Sequence, residues 1–358
     1  MKKIKVLVTD DSIFMRKLIS DLLQDHPDIE VIATARNGVE AIEKVKQLSP
    51  DVVTLDVEMP VMDGLEALKQ IMAQSPLPVI MLSSTTSSGS LNTILAIESG
   101  ALDFVAKPSG AISLDIYKVK EELIEKILLA ASSNILSLQG RTRERKKAQP
   151  TKVPYSTIDL KSKKRKCNRS VICIGTSTGG PRALQTLLTS LPNTMNTPIF
   201  IVQHMPKQFT KSLAERLNSL CSFPVTEAEH REIVKNGTVY IAPGGFHMEV
   251  EEVGGELFIS LNEDSPLKGH RPAVDHLFAS LSKLKNTRKI AVVLTGMGAD
   301  GAAGIRKLKE SGHTVAIAES EQTSIVYGMP NAAVQTGLVD RIENLEDIAD
   351  VIQQYTLC

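Results

Sequence analysis

Tryptophan is absent from this 358-residue chain, and only five tyrosines and eight phenylalanines supply its aromatic rings. Proteins that stack bases on aromatic platforms need more of them, so nucleic acid is not an expected partner. Net charge is absent as well, since 41 Lys and Arg balance 41 Asp and Glu. That removes the long-range field with which nucleic-acid-binding and membrane-surface proteins gather their ligands. No apolar run approaches the length of a bilayer span, so membrane insertion is not expected. The opening Met1-Lys2-Lys3 is basic like the head of a secretory signal, but the apolar stretch Val6 to Val8 ends before Asp10 and Asp11. The four cysteines (Cys167, Cys173, Cys221 and Cys358) show no CxxC pair and no ligand-like spacing with histidine. They read as buried or incidental thiols of a reducing compartment, and the expectation is a cytoplasmic protein.

The length suits two domains, and 42% apolar content is enough for sizeable cores. In the first half, strand-like runs (Ile4–Val8, Glu30–Thr34, Val52–Leu55, Val79–Leu82, Phe104–Val105) alternate with helical patterns (Ser12–Leu23, Gly38–Leu48, Gly64–Ala73, Leu91–Glu98, Asp115–Ala130). Such alternation predicts a doubly wound α/β domain over residues 1–130, with a five-stranded parallel sheet. Its functional loops then lie at the carboxyl ends of the strands. From residue 131 to 169 the pattern dissolves. Between Arg141 and Arg169 stand twelve Lys or Arg against two acids, with Pro150 and Pro154 among them. This predicts a flexible basic linker, with a contact strip for an acidic surface as the sharper alternative.

Alternation resumes over 170–358, predicting a second doubly wound α/β domain. Strands are expected at Val171–Ile174, Pro198–Val202, Thr238–Ala242, Ile290–Leu294 and Thr314–Ala318, and helices at Arg182–Ser190, Phe209–Leu220, Val274–Ser282 and Ala302–Ser311. Glu249–Ser260, with Gly254-Gly255 at its centre, reads as a hairpin.

Two groups of residues carry chemistry. Asp10 and Asp11 follow the first strand and Asp56 ends the third, so three carboxylates converge at one sheet edge. Carboxylates so crowded suit a hard cation such as Mg²⁺, which keeps coordination sites for phosphate. Lys107 adds an ammonium and Ser83 a hydroxyl at the same edge, an arrangement suited to phosphoryl transfer onto the central carboxylate. Helix capping accounts for Asp10 and Asp11 equally well, but not for Asp56 or Lys107.

In the second half, Gly175-Thr176-Ser177-Thr178-Gly179 matches G-x-S-x-G, a sharp strand-to-helix turn that exposes a serine hydroxyl. A plain glycine turn or a phosphate cradle at a helix start fits the same run. Among seven histidines, His204 alone directly follows a strand and so shares the edge of Ser177. His26 lies in the first domain, His276 in a helix pattern and His313 at the opposite edge, while His230, His247 and His270 fall in loops. Asp300 reaches the shared edge after Ile290–Leu294, either to orient the imidazole or to cap the next helix. The order Ser177, His204, Asp300 departs from the Ser…Asp…His order of ordinary α/β-hydrolases. Gly296-x-Gly298-x-x-Gly301, with Glu319 downstream, also fits a dinucleotide fingerprint, a weak signal by itself.

Over residues 1 to about 130 the chain resembles the response-regulator receivers, with their flavodoxin-like fold. The resemblance rests on Asp10-Asp11, Leu55-Asp56-Val57-Glu58-Met59-Pro60 with Asp63-Gly64, Ser83, and Lys107-Pro108. It implies Asp56 as phospho-acceptor, Asp10, Asp11, Asp56 and the Glu58 backbone carbonyl as Mg²⁺ ligands, and Ser83, Phe104 and Lys107 as switch residues. Residues 170–340 resemble the catalytic domain of chemotaxis protein-glutamate methylesterases. The matching runs are Ile174–Pro181, Gln203-His204-Met205-Pro206, Ala242–Met248, Arg271–Asp275, Leu294–Gly301 and Gly328–Ala333. This implies Ser177 as nucleophile, His204 as base, Asp300 as its orienter and the Met297 backbone N–H as an oxyanion donor. Thr176 stands where that family often carries Ala or Ser. The resemblance further implies methyl-accepting chemoreceptors as substrate, with glutamine deamidation as an additional activity. A chemotaxis histidine kinase is the implied phosphodonor. The ester chemistry needs no cofactor, and the working form is expected to be a monomer. The simplest coupling of the two halves is steric, with the unphosphorylated receiver packed over the edge that bears Ser177, His204 and Asp300.

Overall fold

Alternating β-rich and helix-forming segments build two parallel sheets in the computed structural model, which describes residues 3–84, 86–107, 115–132 and 169–356. Five strands form the first sheet: β1 (Ile4–Thr9), β2 (Ile29–Ala35), β3 (Val52–Asp56), β4 (Val79–Ser83) and β5 (Asp103–Ala106). All pair in parallel, in the order β2-β1-β3-β4-β5. β3 and β4 are buried at every residue, as strands covered on both faces must be. The covering helices are α1 (Ile13–Gln24), α2 (Gly38–Leu48), α3 (Gly64–Gln74), α4 (Ser87–Glu98) and α5 (Asp115–Ser132). Ser12, Asn37, Asp63 and Thr86 start the first four, each side chain accepting from a backbone N–H three residues on.

The second sheet has seven parallel strands in the order β14-β13-β12-β6-β7-β9-β8. Its strands are β6 (Arg169–Thr176), β7 (Ile199–Gln203), β8 (Val225–Glu227), β9 (Val239–Ile241), β12 (Thr287–Val293), β13 (Thr314–Glu319) and β14 (Arg341–Glu343). The antiparallel hairpin of β10 (His247–Val253) and β11 (Glu256–Asn262) stands apart from it. Helices α6 (Gly180–Ser190), α7 (Phe209–Leu220), α8 (Val274–Ser282), α9 (Ala302–Glu310), α10 (Met329–Gln335) and α11 (Leu345–Thr356) complete this half. β6 lies between β12 and β7, so three successive strand ends present the loops that hold Asp300, Ser177 and His204. The strand order reverses beside β6 here and beside β1 in the first sheet. In open α/β sheets such reversals open a crevice at the carboxyl edge.

The expected α/β class and both doubly wound sheets are present. α4 begins at Ser87 rather than Leu91, because Thr86 caps it and the polar turn is covered: Ser90 is fully buried. The Ser90 hydroxyl lies 2.7 Å from that of Ser212 on α7, so a serine-rich stretch resembling a loop is helix packed against the other half. His247 lies in β10, not in a loop. β8, β14, α10 and α11 were not anticipated. Residues 133–168, and with them nearly all of the predicted basic linker and Cys167, lie outside the described residues, as do Pro108 and Cys358.

The two halves meet where α4 and β5 of the first pack against α7 and the turn after β6 of the second. Phe104 stacks on Phe209 with centroids 4.5 Å apart. Arg216 makes a bidentate pair with Glu98, at 2.9 and 2.8 Å. Thr178 Oγ1 donates to Asp103 Oδ2 at 2.6 Å, with both residues buried. No helix among the described residues is long and apolar enough to cross a membrane.

The tightest approach in the first half concerns Gly64, where a Cβ would lie 2.0 Å from the Asp56 carbonyl oxygen. Neither backbone can yield without moving the other. Gly64→Ala is therefore expected to destabilise the protein by about 1–3 kcal/mol, measured by urea unfolding, and an unchanged midpoint would contradict this packing.

Candidate active site

Ser177 leaves the end of β6 in a turn tied down on both sides. Its N–H donates to Thr295 O at 3.1 Å, and its carbonyl accepts from Gly180 N at 2.8 Å and Gln203 Nε2 at 3.0 Å. Thr295 reciprocates, donating from Oγ1 to Thr178 O at 3.0 Å, while Thr176 Oγ1 donates to Thr295 O at 3.0 Å. The serine turn and the loop after β12 are thus laced together across the strand ends. Gly296 is required where they touch: a Cβ there would lie 2.8 Å from Ser177 Cβ and 2.5 Å from the Met329 sulfur. Met297, the next residue, is half-buried beside this contact.

His204 follows β7, and its N–H donates to Thr176 O at 3.1 Å, which holds it level with the serine turn. Its Nε2 is 2.8 Å from Asp300 Oδ2, with both side chains nearly buried. The other nitrogen, Nδ1, is buried without a hydrogen-bond partner. An imidazole whose Nε2–H is claimed by a carboxylate keeps its lone pair on Nδ1, so Nδ1 is the nitrogen free to take a proton.

Asp300 does more than hold a ring. Oδ2 also accepts from Val274 N at 2.6 Å, and Oδ1 accepts from Asp275 N at 2.8 Å and Gly301 N at 3.0 Å. Burial opposes its charge, yet the hydrogen bond and charge of His204, with these backbone donors, hold its carboxyl below the usual range. Capping of α9 falls mainly to Asp275, whose Oδ1 accepts from Gly301 N and Gly304 N. Glu319, the acid of the dinucleotide alternative, is fully buried and accepts from Thr295 N at 2.7 Å and from the Thr323 hydroxyl. It braces Thr295, which in turn holds the serine turn, and presents nothing to a ribose.

In the first half the oxygens of Asp10, Asp11 and Asp56 lie within 4.8 Å of one another. Lys107 Nζ bridges two of them, at 2.7 Å from Asp10 and 2.8 Å from Asp56. Burial pushes the Asp56 carboxyl up to about 6 against the opposing pull of Lys107. An all-oxygen set with one exposed member suits a hard divalent cation, so these residues fit Mg²⁺. Glu58 lines the adjoining pocket with Asp11 and Asp63. The Ser83 hydroxyl lies 3.1 Å from the carbonyls of Ser84 and Gly89, pointing it into the β4–α4 turn. Phe104 is buried against Phe209.

One neighbour escaped sequence reasoning. His270 lies flat on His204, centroids 3.9 Å apart and planes 6° from parallel. Its loop has no periodic pattern, and only its place just before the Arg271–Asp275 motif hinted at the site.

The comparisons bear on both halves. The family model described as CheB methylesterase matches residues 172–352, and that described as response regulator receiver domain matches residues 6–116. A protein-glutamate methylesterase/protein-glutamine glutaminase of Geobacillus kaustophilus is 56% identical over 354 residues, covering 99% of each chain. The Bacillus subtilis protein of the same description is 49% identical over 349 residues, covering 97% of this chain and 96% of its own. The crystal structure of the Thermotoga maritima CheB methylesterase catalytic domain superposes with a TM-score of 0.50 and 41% identity. That match covers 51% of this chain and 97% of the other.

The backbone N–H groups of Val274 and Asp275 depend on Asp300, and that of Gly301 is shared between it and Asp275, whereas none depends on the His204 ring. Asp300→Ala is expected to cost at least about 2 kcal/mol, more than His204→Ala. Paired thermal melts compare them, and equal losses would refute the bracing role.

Proposed function

The chain belongs to the CheB methylesterase family, with an N-terminal response-regulator receiver, and on that premise we propose that it hydrolyses γ-glutamyl methyl esters on chemoreceptors. Residues 1–130 act as the receiver, 131–169 as a linker and 170–358 as the hydrolase. The observation that supports this most is the buried His204–Asp300 pair with an unpartnered Nδ1, on the strand end next to Ser177.

Ser177 Oγ attacks the ester carbonyl while His204 Nδ1 takes its proton. The imidazolium so formed is balanced by Asp300, which stays ionised because it is hydrogen-bonded and held below the usual carboxylate range. The Met297 N–H, on the loop that Gly296 brings against Ser177, donates to the developing oxyanion. His204 returns the proton to departing methanol, and water then clears the acyl-enzyme by the same route. Glutamine at such a site reacts alike with ammonia leaving, which accords with the double description of the relatives. The methyl ester is neutral and the product a carboxylate, so turnover changes the receptor's charge and resets its signalling for adaptation.

Asp56 accepts a phosphoryl group from a chemotaxis histidine kinase. Asp10, Asp11, Asp56 and the Glu58 carbonyl would hold Mg²⁺, which when bound neutralises the phosphoryl oxygens. Lys107 holds Asp10 and Asp56 together and is placed to pair with the incoming phosphoryl group. Ser83 then turns inward from the β4–α4 turn and Phe104 leaves Phe209, loosening the contact that reaches Thr178.

Methanol release from methylated receptor membranes tests the hydrolase. Ser177→Ala is expected to lower the rate by several orders of magnitude while the protein stays folded, and near-normal turnover would reject the nucleophile. For the receiver, a small phosphodonor with Mg²⁺ should form one base-labile acyl phosphate that Asp56→Asn abolishes. Equal labelling of that variant would move the phosphorylation site elsewhere.

A further inference from the structure

We propose that His270 is a positioning residue for the His204 base, acting as a neutral ring that fixes one face of the catalytic imidazole and steadies its cation. The inference rests on the assignment of His204 as base. The two rings are parallel and in contact, 3.9 Å between centroids and 6° between planes. A hydrogen bond to Asp300 through one nitrogen leaves an imidazole free to swing about that bond. A ring lying on its face removes that freedom and points Nδ1 in one direction.

The segment that carries His270 is built to hold it. Leu267 and His270 exchange both backbone hydrogen bonds, at 3.1 and 2.9 Å. Lys268 and Gly269 between them have φ of 51° and 84°, the geometry of a tight two-residue turn. Lys268 Nζ is 3.0 Å from Asp275 Oδ2 and 3.3 Å from Ala299 O. Arg271 Nη1 donates to Glu263 O at 2.7 Å and Asp264 O at 3.0 Å, and its carbonyl accepts from Gly245 N. Asp275 in turn caps the helix that follows Asp300. One framework therefore fixes His270, Asp300 and, through Asp300, His204.

The charge state suits the role. Burial, then the neighbouring His204, push His270 down to about 4, so it is neutral where the enzyme works. Asp300 and Lys126 of α5 are the other charged groups whose fields reach it. When His204 becomes imidazolium, it then meets the electron-rich face of a neutral ring rather than a second cation. The His204–Asp300 pair beneath it is itself nearly buried, where a lower local dielectric strengthens the attraction.

Three substitutions in the full-length protein separate this from a merely structural role, with methanol release from methylated receptor membranes measured under acetyl phosphate and Mg²⁺. His270→Ala removes the stack and is expected to lower kcat about tenfold or more, with KM within about twofold. His270→Phe restores a neutral ring and should bring kcat back to within about threefold of the parent. His270→Arg sets a permanent cation against a ring that must itself become cationic. It should lose more than the alanine variant and move the acid limb of the kcat/KM profile to lower pH. His270→Ala turning over within twofold of the parent, or a loss that phenylalanine does not recover, would overturn the proposal. His204→Ala runs alongside: retained turnover there defeats the assignment of the base itself, whereas a dead His204→Ala beside a normal His270→Ala defeats only the inference.

Discussion

A single buried carboxylate organises the catalytic half. Asp300 takes four hydrogen bonds, one from the His204 ring and three from the backbone at Val274, Asp275 and Gly301. An ionised group this buried is tolerable only when so fully paired. The pairing then dictates where the start of α8, the start of α9 and the loop after β7 can lie. His204 is therefore not a separately placed ring but one hydrogen-bond partner of a fixed anion. Its orientation, with Nε2 toward Asp300 and Nδ1 free, follows from that anion's position. The serine turn is held by another route, through Thr295, which is itself braced by Glu319.

The contact between the halves reaches this site. Asp103 precedes Phe104 on β5, and its carboxylate accepts from the hydroxyl of Thr178, the residue after Ser177. Phe104 itself stacks on the first residue of α7. β5 is thus one side chain away from the turn that carries Ser177. The Arg216–Glu98 pair, only partly buried, adds orientation more than stability.

Much of this was legible in the residues because parallel sheets follow simple rules. Buried strands read as continuous apolar runs, and loops at their carboxyl ends collect the chemistry, which is how Asp10, Asp56, Ser177, His204 and Asp300 stood out. What escaped depends on contacts distant in sequence. α4 seemed to begin late because Ser87 to Ser90 are polar, and only packing against Ser212 accounts for Ser90 being buried in a helix. β8 and β14 are three-residue edge strands, too short to show periodicity. His270 sits in an exposed loop whose shape comes from Arg271, Lys268 and Asp275, so no spacing rule could have paired it with His204. For Asp300 the sequence left orienting the imidazole and capping the next helix both open, and only the fold shows Asp275 taking most of the capping.

On the proposed function, steric closure by the unphosphorylated receiver is the simplest coupling of the two halves. The Thermotoga maritima catalytic domain was crystallised on its own, and it aligns with about half of this chain. A fragment beginning at Lys161 is therefore the natural counterpart to the whole protein. The decisive measurement is methanol release by each on the same methylated receptor membranes, without phosphodonor. The fragment is expected to be clearly faster, and a fragment no faster than the unphosphorylated whole would refute steric closure.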